Sequence, residues 1–181
     1  RGGPRNRDER FALATPPAVA ASPAAQAVHE EKDVLLLLDI NGVLGARPPY
    51  SRRDSGATFQ MRPHLNEFLR FCFEHFEVGV WTCGSRNSLE LHLFRGYEDR
   101  LRFALHQNHS VNLWPRFSHV SSQKPLFLKD VNQAIYGKPD SKGKVWEPGK
   151  VLLVDNHVEK FERNEVGMCL LVPNFEYGGN R

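Results

Sequence analysis

Two acids and a threonine stand where short apolar runs stop, and there this sequence places its chemistry. Residues 34–38 read Val-Leu-Leu-Leu-Leu and end at Asp39, followed by Ile40-Asn41-Gly42. Residues 151–154 read Val-Leu-Leu-Val and end at Asp155-Asn156, and Val78-Gly79-Val80-Trp81 ends at Thr82. Apolar runs without alternation fit strands buried on both faces of a parallel sheet. In an open sheet of that kind the carboxyl ends share one edge, where ligands bind. An acid at that edge is available for covalent catalysis or as an oxygen ligand to a metal. A lone strand-terminal acid is commonly a turn former. Three polar ends converging on one edge make a candidate site.

The elements needed to position these residues are legible between them. After the strand at 34–38 comes a Gly-, Pro- and Arg-rich loop at 42–58, then a helix starting at Pro63, a good first-turn residue. Leu65, Phe68, Leu69, Cys72, Phe73 and Phe76 follow the spacing of a buried helical stripe. Ser85 is placed to cap a helix carrying Leu89, Leu93 and Phe94. A strand fits Leu101–Leu105, and the polar stretch 106–123 reads as irregular. Residues 129–136 suit a short helix, and Met168–Val172 a last strand. Strand and helix in alternation predict a mostly parallel sheet with helices on both faces.

Residues 1–32 differ in kind. They hold eight alanines and four prolines with almost no large apolar residues, and they read as a disordered arm or linker. Asp8, Glu9, Glu30 and Glu31 argue against a targeting peptide. Residues 33–181 are then one domain. The chain starts at Arg1 rather than Met, and further sequence is expected upstream. The formal charge of +3 suits an acidic or phosphorylated partner and is too weak for nucleic acid. Cys72, Cys83 and Cys169 form no C-x-x-C and no even framework, which fits buried, reduced thiols. No apolar run approaches the ~20 residues of a membrane helix.

Five segments in order carry a resemblance. They are Asp39-Ile40-Asn41-Gly42-Val43-Leu44, Met61 to Leu69, Val80-Trp81-Thr82, Phe127 to Val131, and Leu152 to Asn156. Together they resemble the haloacid dehalogenase superfamily, and within it the phosphatases of the RNA polymerase II carboxy-terminal domain. The small members and the nuclear-LIM-interactor-interacting factors share this layout. The resemblance runs from about Val34 to about Pro173 and implies a three-layer α/β sandwich of the Rossmann kind. It also implies magnesium-dependent dephosphorylation of a phosphoserine or phosphothreonine protein, with that carboxy-terminal domain itself as one candidate. By the same resemblance Asp39 is the nucleophile, forming an aspartyl phosphate, and Thr82 and Lys129 hold the phosphoryl oxygens. Asp155 orients Lys129 or a water, and magnesium sits on Asp39, the Asn41 carbonyl and Asn156. The implied compartment is the nucleus or cytosol.

One position departs from the pattern. The superfamily's second acid is Asn41 here, and an amide can neither protonate a leaving oxygen nor activate water. The same fold serves, with degraded acids, in a subunit of the mitochondrial inner-membrane import translocase, so a non-catalytic binding domain is the alternative expectation. Lys124 competes with Lys129 for the phosphate, and Arg47, Arg52 and Arg53 are placed to grip acidic peptide or to be a solvated loop. His157 follows Asp155-Asn156 and is a candidate proton carrier, though residues there commonly face solvent. His106, His109 and His119 lack a fourth ligand for zinc. Trp81 reads as core; Trp114 and Trp146 read as groove or packing residues.

Overall fold

Four leucines in succession form strand β1 (Leu35–Leu38), every one of them buried. Alternate residues of a strand face opposite sides. Leu36 and Leu38 accordingly enter one core cluster, and Leu35 and Leu37 the other. The computed structural model describes residues 31–49, 56, 58–118 and 121–179. The proposed N-terminal arm lies almost wholly outside the described residues, as do Arg52, Arg53 and His119.

The chain continues through β2 (Gly45–Ala46), β3 (Gln60–Met61), α1 (Leu65–His75), β4 (Glu77–Trp81) and β5 (Leu101–Leu105). It then forms β6 (Val111–Ser118), β7 (Ser121–Leu128), α2 (Val131–Ala134), β8 (Val151–Asp155) and β9 (Cys169–Leu171). Five strands make one sheet in the order β5-β4-β1-β8-β9, with every pairing parallel. Helix α1 packs on one face through Leu65, Leu69, Cys72 and Phe73, and α2 on the other through Val131 and Ala134. The result is the expected three-layer α/β sandwich. Chain order reverses direction at β1, with β4 on one side and β8 on the other, and ligand sites open at such switch points. Among the described residues no helix is long and apolar enough to cross a membrane.

Several local expectations need correction. Helix α1 starts at Leu65, after His64 in a left-handed conformation, and Phe68 leaves the buried stripe for a 40% exposed position. The helix expected after Ser85 is two 3-10 turns, Arg86–Ser88 and Leu91–Phe94, and the Ser85 side chain caps neither. Arg47 captures the Ser88 carbonyl at 2.8 Å, an acceptor a continuing helix needs, and Glu90 between the turns has positive φ. Leu89, Leu93 and Phe94 are buried regardless. The stretch 106–123 is largely an antiparallel hairpin, β6 with β7, rather than irregular. Pro115 and Pro125 lie within its strands and its register shifts, so alternation is hidden. Trp146 is core, 2% exposed with its indole donating to Asp140 at 3.0 Å, which removes it from any groove. Trp114 is 65% exposed on β6. Cys72 and Cys83 are buried and Cys169 half-buried, all unbridged.

Candidate active site

Parallel register places Leu38 beside Val80 and Val154, so Asp39, the Thr82 turn and Asp155 emerge at the same end of three adjacent strands. The Asp39 amide still donates to the Val154 carbonyl at 2.9 Å, which holds its backbone to β8. Beyond it the chain coils around one acceptor. The amides of Val43, Leu44 and Gly45 all point to the Ile40 carbonyl, at 3.3, 2.9 and 3.3 Å. Gly42 makes this loop possible, with φ +92 and no room for a side chain.

Asp39, Asn41, Thr82 and Asp155 line a cavity of about 420 Å³. Lys129, fully buried, has its Nζ 2.6 Å from Asp39 Oδ1 and 2.6 Å from Asp155 Oδ2. The second oxygen of Asp155 accepts from the His157 amide at 2.9 Å. Burial disfavours an isolated ammonium, but the two carboxylates, Asp155 foremost, outweigh it and hold Lys129 protonated. Burial pushes the Asp39 carboxyl up to about 6, with Lys129 opposing that rise and the Asp155 charge adding to it. Thr82 Oγ1 accepts from the Gly84 amide at 3.1 Å, which leaves the hydroxyl proton to donate elsewhere.

Asn41 is exposed, and its Oδ1 accepts from the Arg47 amide at 3.0 Å. Arg47 does not grip the cavity with its full charge. Its guanidinium binds Ser88 Oγ at 2.7 Å, the Ser88 carbonyl and Glu90 at 2.8 Å. Lys124 also lines the cavity, while Lys129 makes the bridge, so the two lysines have different places. His157 lines the cavity, with Nδ1 3.9 Å from Glu159. His106 and His109 stack edge to face away from the cavity lining, and among the described residues no His, Cys, Asp and Glu group is placed to hold a metal by itself.

The fit of a divalent cation rests on Asn156. Its Nδ2 donates to Asn174 Oδ1 at 2.6 Å, whereas its buried Oδ1 has no hydrogen-bond partner. An orphaned amide oxygen next to Asp155, with the Asp39 carboxylate and the loop carbonyl of Asn41, is a set of hard oxygen donors that suits magnesium. Lys160, which the sequence reading passed over, also lines the cavity, as does Cys83, read there only as a buried thiol. Lys160 sits five residues beyond Asp155 in a 3-10 turn (Val158–Phe161), and nothing in its flanking residues marks it out. Burial raises the Cys83 thiol's pKa, so that side chain is an inert wall.

Comparison with known proteins gives the family. Residues 34–181 match the family described as NIF, NLI interacting factor-like phosphatase. The chain belongs to that family. A putative CTD phosphatase-like protein, 355R of Invertebrate iridescent virus 3, is 58% identical over 26 residues. That stretch spans 14% of this chain and 14% of the viral protein. The NIF match covers the whole sandwich from β1 onward and includes all six predicted site residues, Asp39, Asn41, Thr82, Lys129, Asp155 and Asn156. Residues 34–181 are thus a phosphatase-like domain.

Proposed function

We propose that this chain is a magnesium-dependent phosphoprotein phosphatase domain that works through an aspartyl phosphate on Asp39. The observation that carries the reading is Lys129 held 2.6 Å from both Asp39 and Asp155, buried behind the two carboxylates that line the cavity. A buried ammonium between two carboxylates is strongly oriented, and a phosphoryl group bound above Asp39 meets that positive charge without rearrangement. Asp39 attacks phosphorus, an O–P bond forms, and the bond to the leaving oxygen breaks with its electron pair going to that oxygen. Thr82 donates its hydroxyl proton to a phosphoryl oxygen, and Lys129 neutralises charge spread over the others. Water then attacks phosphorus, releasing phosphate and the Asp39 carboxylate. Asp39, the Asn41 carbonyl and Asn156 would hold magnesium, which supplies charge neutralisation to the phosphoryl group. Asn41 supplies no proton, so aryl phosphates, whose leaving group needs none, are the better substrates.

Mass spectrometry of protein quenched during aryl phosphate turnover tests this. The peptide containing Asp39 gains one phosphoryl group, and Asp39→Asn abolishes both the adduct and turnover. Absence of hydrolysis of aryl phosphate and phosphoserine peptide, in the native chain and in Asn41→Asp alike, overturns the proposal. A second reading rests on Asn41, whose oxygen is spent on the Arg47 amide. In that reading the domain binds a protein segment without turnover, in the manner of the import translocase subunit.

A further inference from the structure

Two lysines in the cavity are not used by the chemistry above. Lys160 is only 6% exposed, yet its Nζ donates a single hydrogen bond, to the Phe127 carbonyl at 3.0 Å. An ammonium has three donors, so two remain. Lys124 reaches the same cavity from β7 and stands at its exposed rim. Partial desolvation, and next the like charge of Lys160, lower the Lys124 pKa, which places the two ammoniums within electrostatic reach of each other.

The ion pairs at this cavity go elsewhere. Lys129 takes Asp39 and Asp155, and Arg47 takes Glu90. Among the described residues neither Lys124 nor Lys160 has an ion-pair partner. Keeping a cation buried without an anion is unfavourable, and a carbonyl does not neutralise it. A glutamine amide could donate to the same Phe127 carbonyl without that penalty. The inner group of Asp39, Asp155 and Lys129 carries one net negative charge, and a divalent cation with one phosphoryl dianion leaves that sum unchanged. Lys124 and Lys160 together therefore bring one positive charge more than the first site needs.

We propose that Lys160 and Lys124 form a second anion subsite beside the Asp39–Lys129–Asp155 group, which receives a second phosphate carried by the same substrate. The proposal rests on the phosphoryl reading of the first site. A phosphate dianion takes two cations, and the pair offers two. The preferred substrate is therefore bis-phosphorylated, either a peptide with two nearby phosphoserines or a small molecule with two phosphates.

Calorimetric titration of the full-length Asp39→Asn chain with magnesium present separates these cases without turnover. The probes are pyrophosphate against orthophosphate, and a doubly against a singly phosphorylated serine peptide. The expected result is tighter binding of the doubly charged probe by roughly tenfold or more, the effect of one charge-assisted contact. Adding Lys160→Gln or Lys124→Gln brings that ratio to about one. A preference seen with the peptide assigns the second phosphate to a protein substrate, and one confined to pyrophosphate assigns it to a small molecule. A ratio of one in the reference chain, or a ratio that neither substitution changes, overturns the subsite. Lys124 is exposed, so Lys124→Gln carries the test if Lys160→Gln does not fold. A lysine-dependent ratio in a chain whose native form hydrolyses no phosphate would leave the subsite standing and remove the phosphatase reading. Hydrolysis without the ratio would do the reverse.

Discussion

The Asn41 side chain turns into its own loop, where Oδ1 accepts the Arg47 amide proton at 3.0 Å. That contact is a turn contact, and an aspartate makes it equally well with one oxygen while the other faces the cavity that Asn41 lines. Asn41→Asp therefore changes chemistry without changing the loop. The gain expected from restoring a positioned acid–base is about 10²–10⁴-fold in kcat on a phosphoserine peptide. On an aryl phosphate the gain is smaller, because its leaving oxygen needs no proton. Steady-state kinetics on both substrates checks this, and equal gains on the two would sink the proton-transfer explanation.

Gly42 is the point where the loop meets Asn156. A Cβ built there lies 2.1 Å from Asn156 Nδ2 and 2.4 Å from Asn174 Oδ1, at a φ of +92 that side chains rarely adopt. Gly42→Ala displaces the amide whose orphaned Oδ1 is assigned to the cation. The backbone strain alone is worth about 1–3 kcal/mol. Thermal unfolding with and without magnesium reads both effects. The native chain gains melting temperature on adding magnesium, and the variant starts lower and gains nothing. An undiminished magnesium shift in Gly42→Ala would take Asn156 out of the metal set.

The central sheet was legible because its strands are buried on both faces and so appear as unbroken apolar runs that stop at Asp39, Thr82 and Asp155. What the runs do not encode is which cations pair with which acids. Lys124 and Lys129 stand five residues apart on the chain, and only the fold puts one between two carboxylates and leaves the other at the rim. The hairpin of β6 and β7 escaped because most of its β6 side chains are exposed, so no burial pattern was imposed on them. Lys160 escaped because a single lysine in a polar turn has no periodicity to betray it. Arg47 was open between substrate and solvent because its charge fits either, and the fold instead engages it with Glu90 and Ser88 at the cavity wall.

Away from the cavity, Arg102 on β5 is the other buried charge of consequence. It is 4% exposed, with Nε 2.7 Å from Glu77 Oε2 and Nη1 3.5 Å from Asp140 Oδ2. Glu77 is 1% exposed, so removing Arg102 takes a cation away from a buried carboxylate that also accepts from the Lys32 amide at 3.1 Å. Arg102→Met is expected to destabilise the fold by about 3–5 kcal/mol in urea unfolding. Glu77→Gln in the same chain should recover part of that loss, because it removes a buried negative charge that has lost the Arg102 cation. A loss below about 1 kcal/mol would mean that the pair behaves as a surface ion pair.

Asp39 gives the fold its clearest conflict between stability and chemistry. Its carboxyl is pushed up to about 6 from an ordinary 3.8, chiefly by burial. Between those values the folded chain binds more protons than the unfolded one, so stability falls as pH rises through that window. A shift of about two units corresponds to roughly 3 kcal/mol, present below pH 4 and lost above pH 6. The nucleophile must be ionised, so the protonation that favours the metal-free fold opposes the chemistry. Asp39→Asn removes the ionisation. Metal-free, in chelator, it should be more stable than the native chain at pH 7.5 by about 1–3 kcal/mol, with the gap closing towards pH 4. Urea unfolding at the two pH values checks it. A less stable Asp39→Asn at pH 7.5 would show that attraction to Lys129, 2.6 Å away, outweighs the burial of the charge.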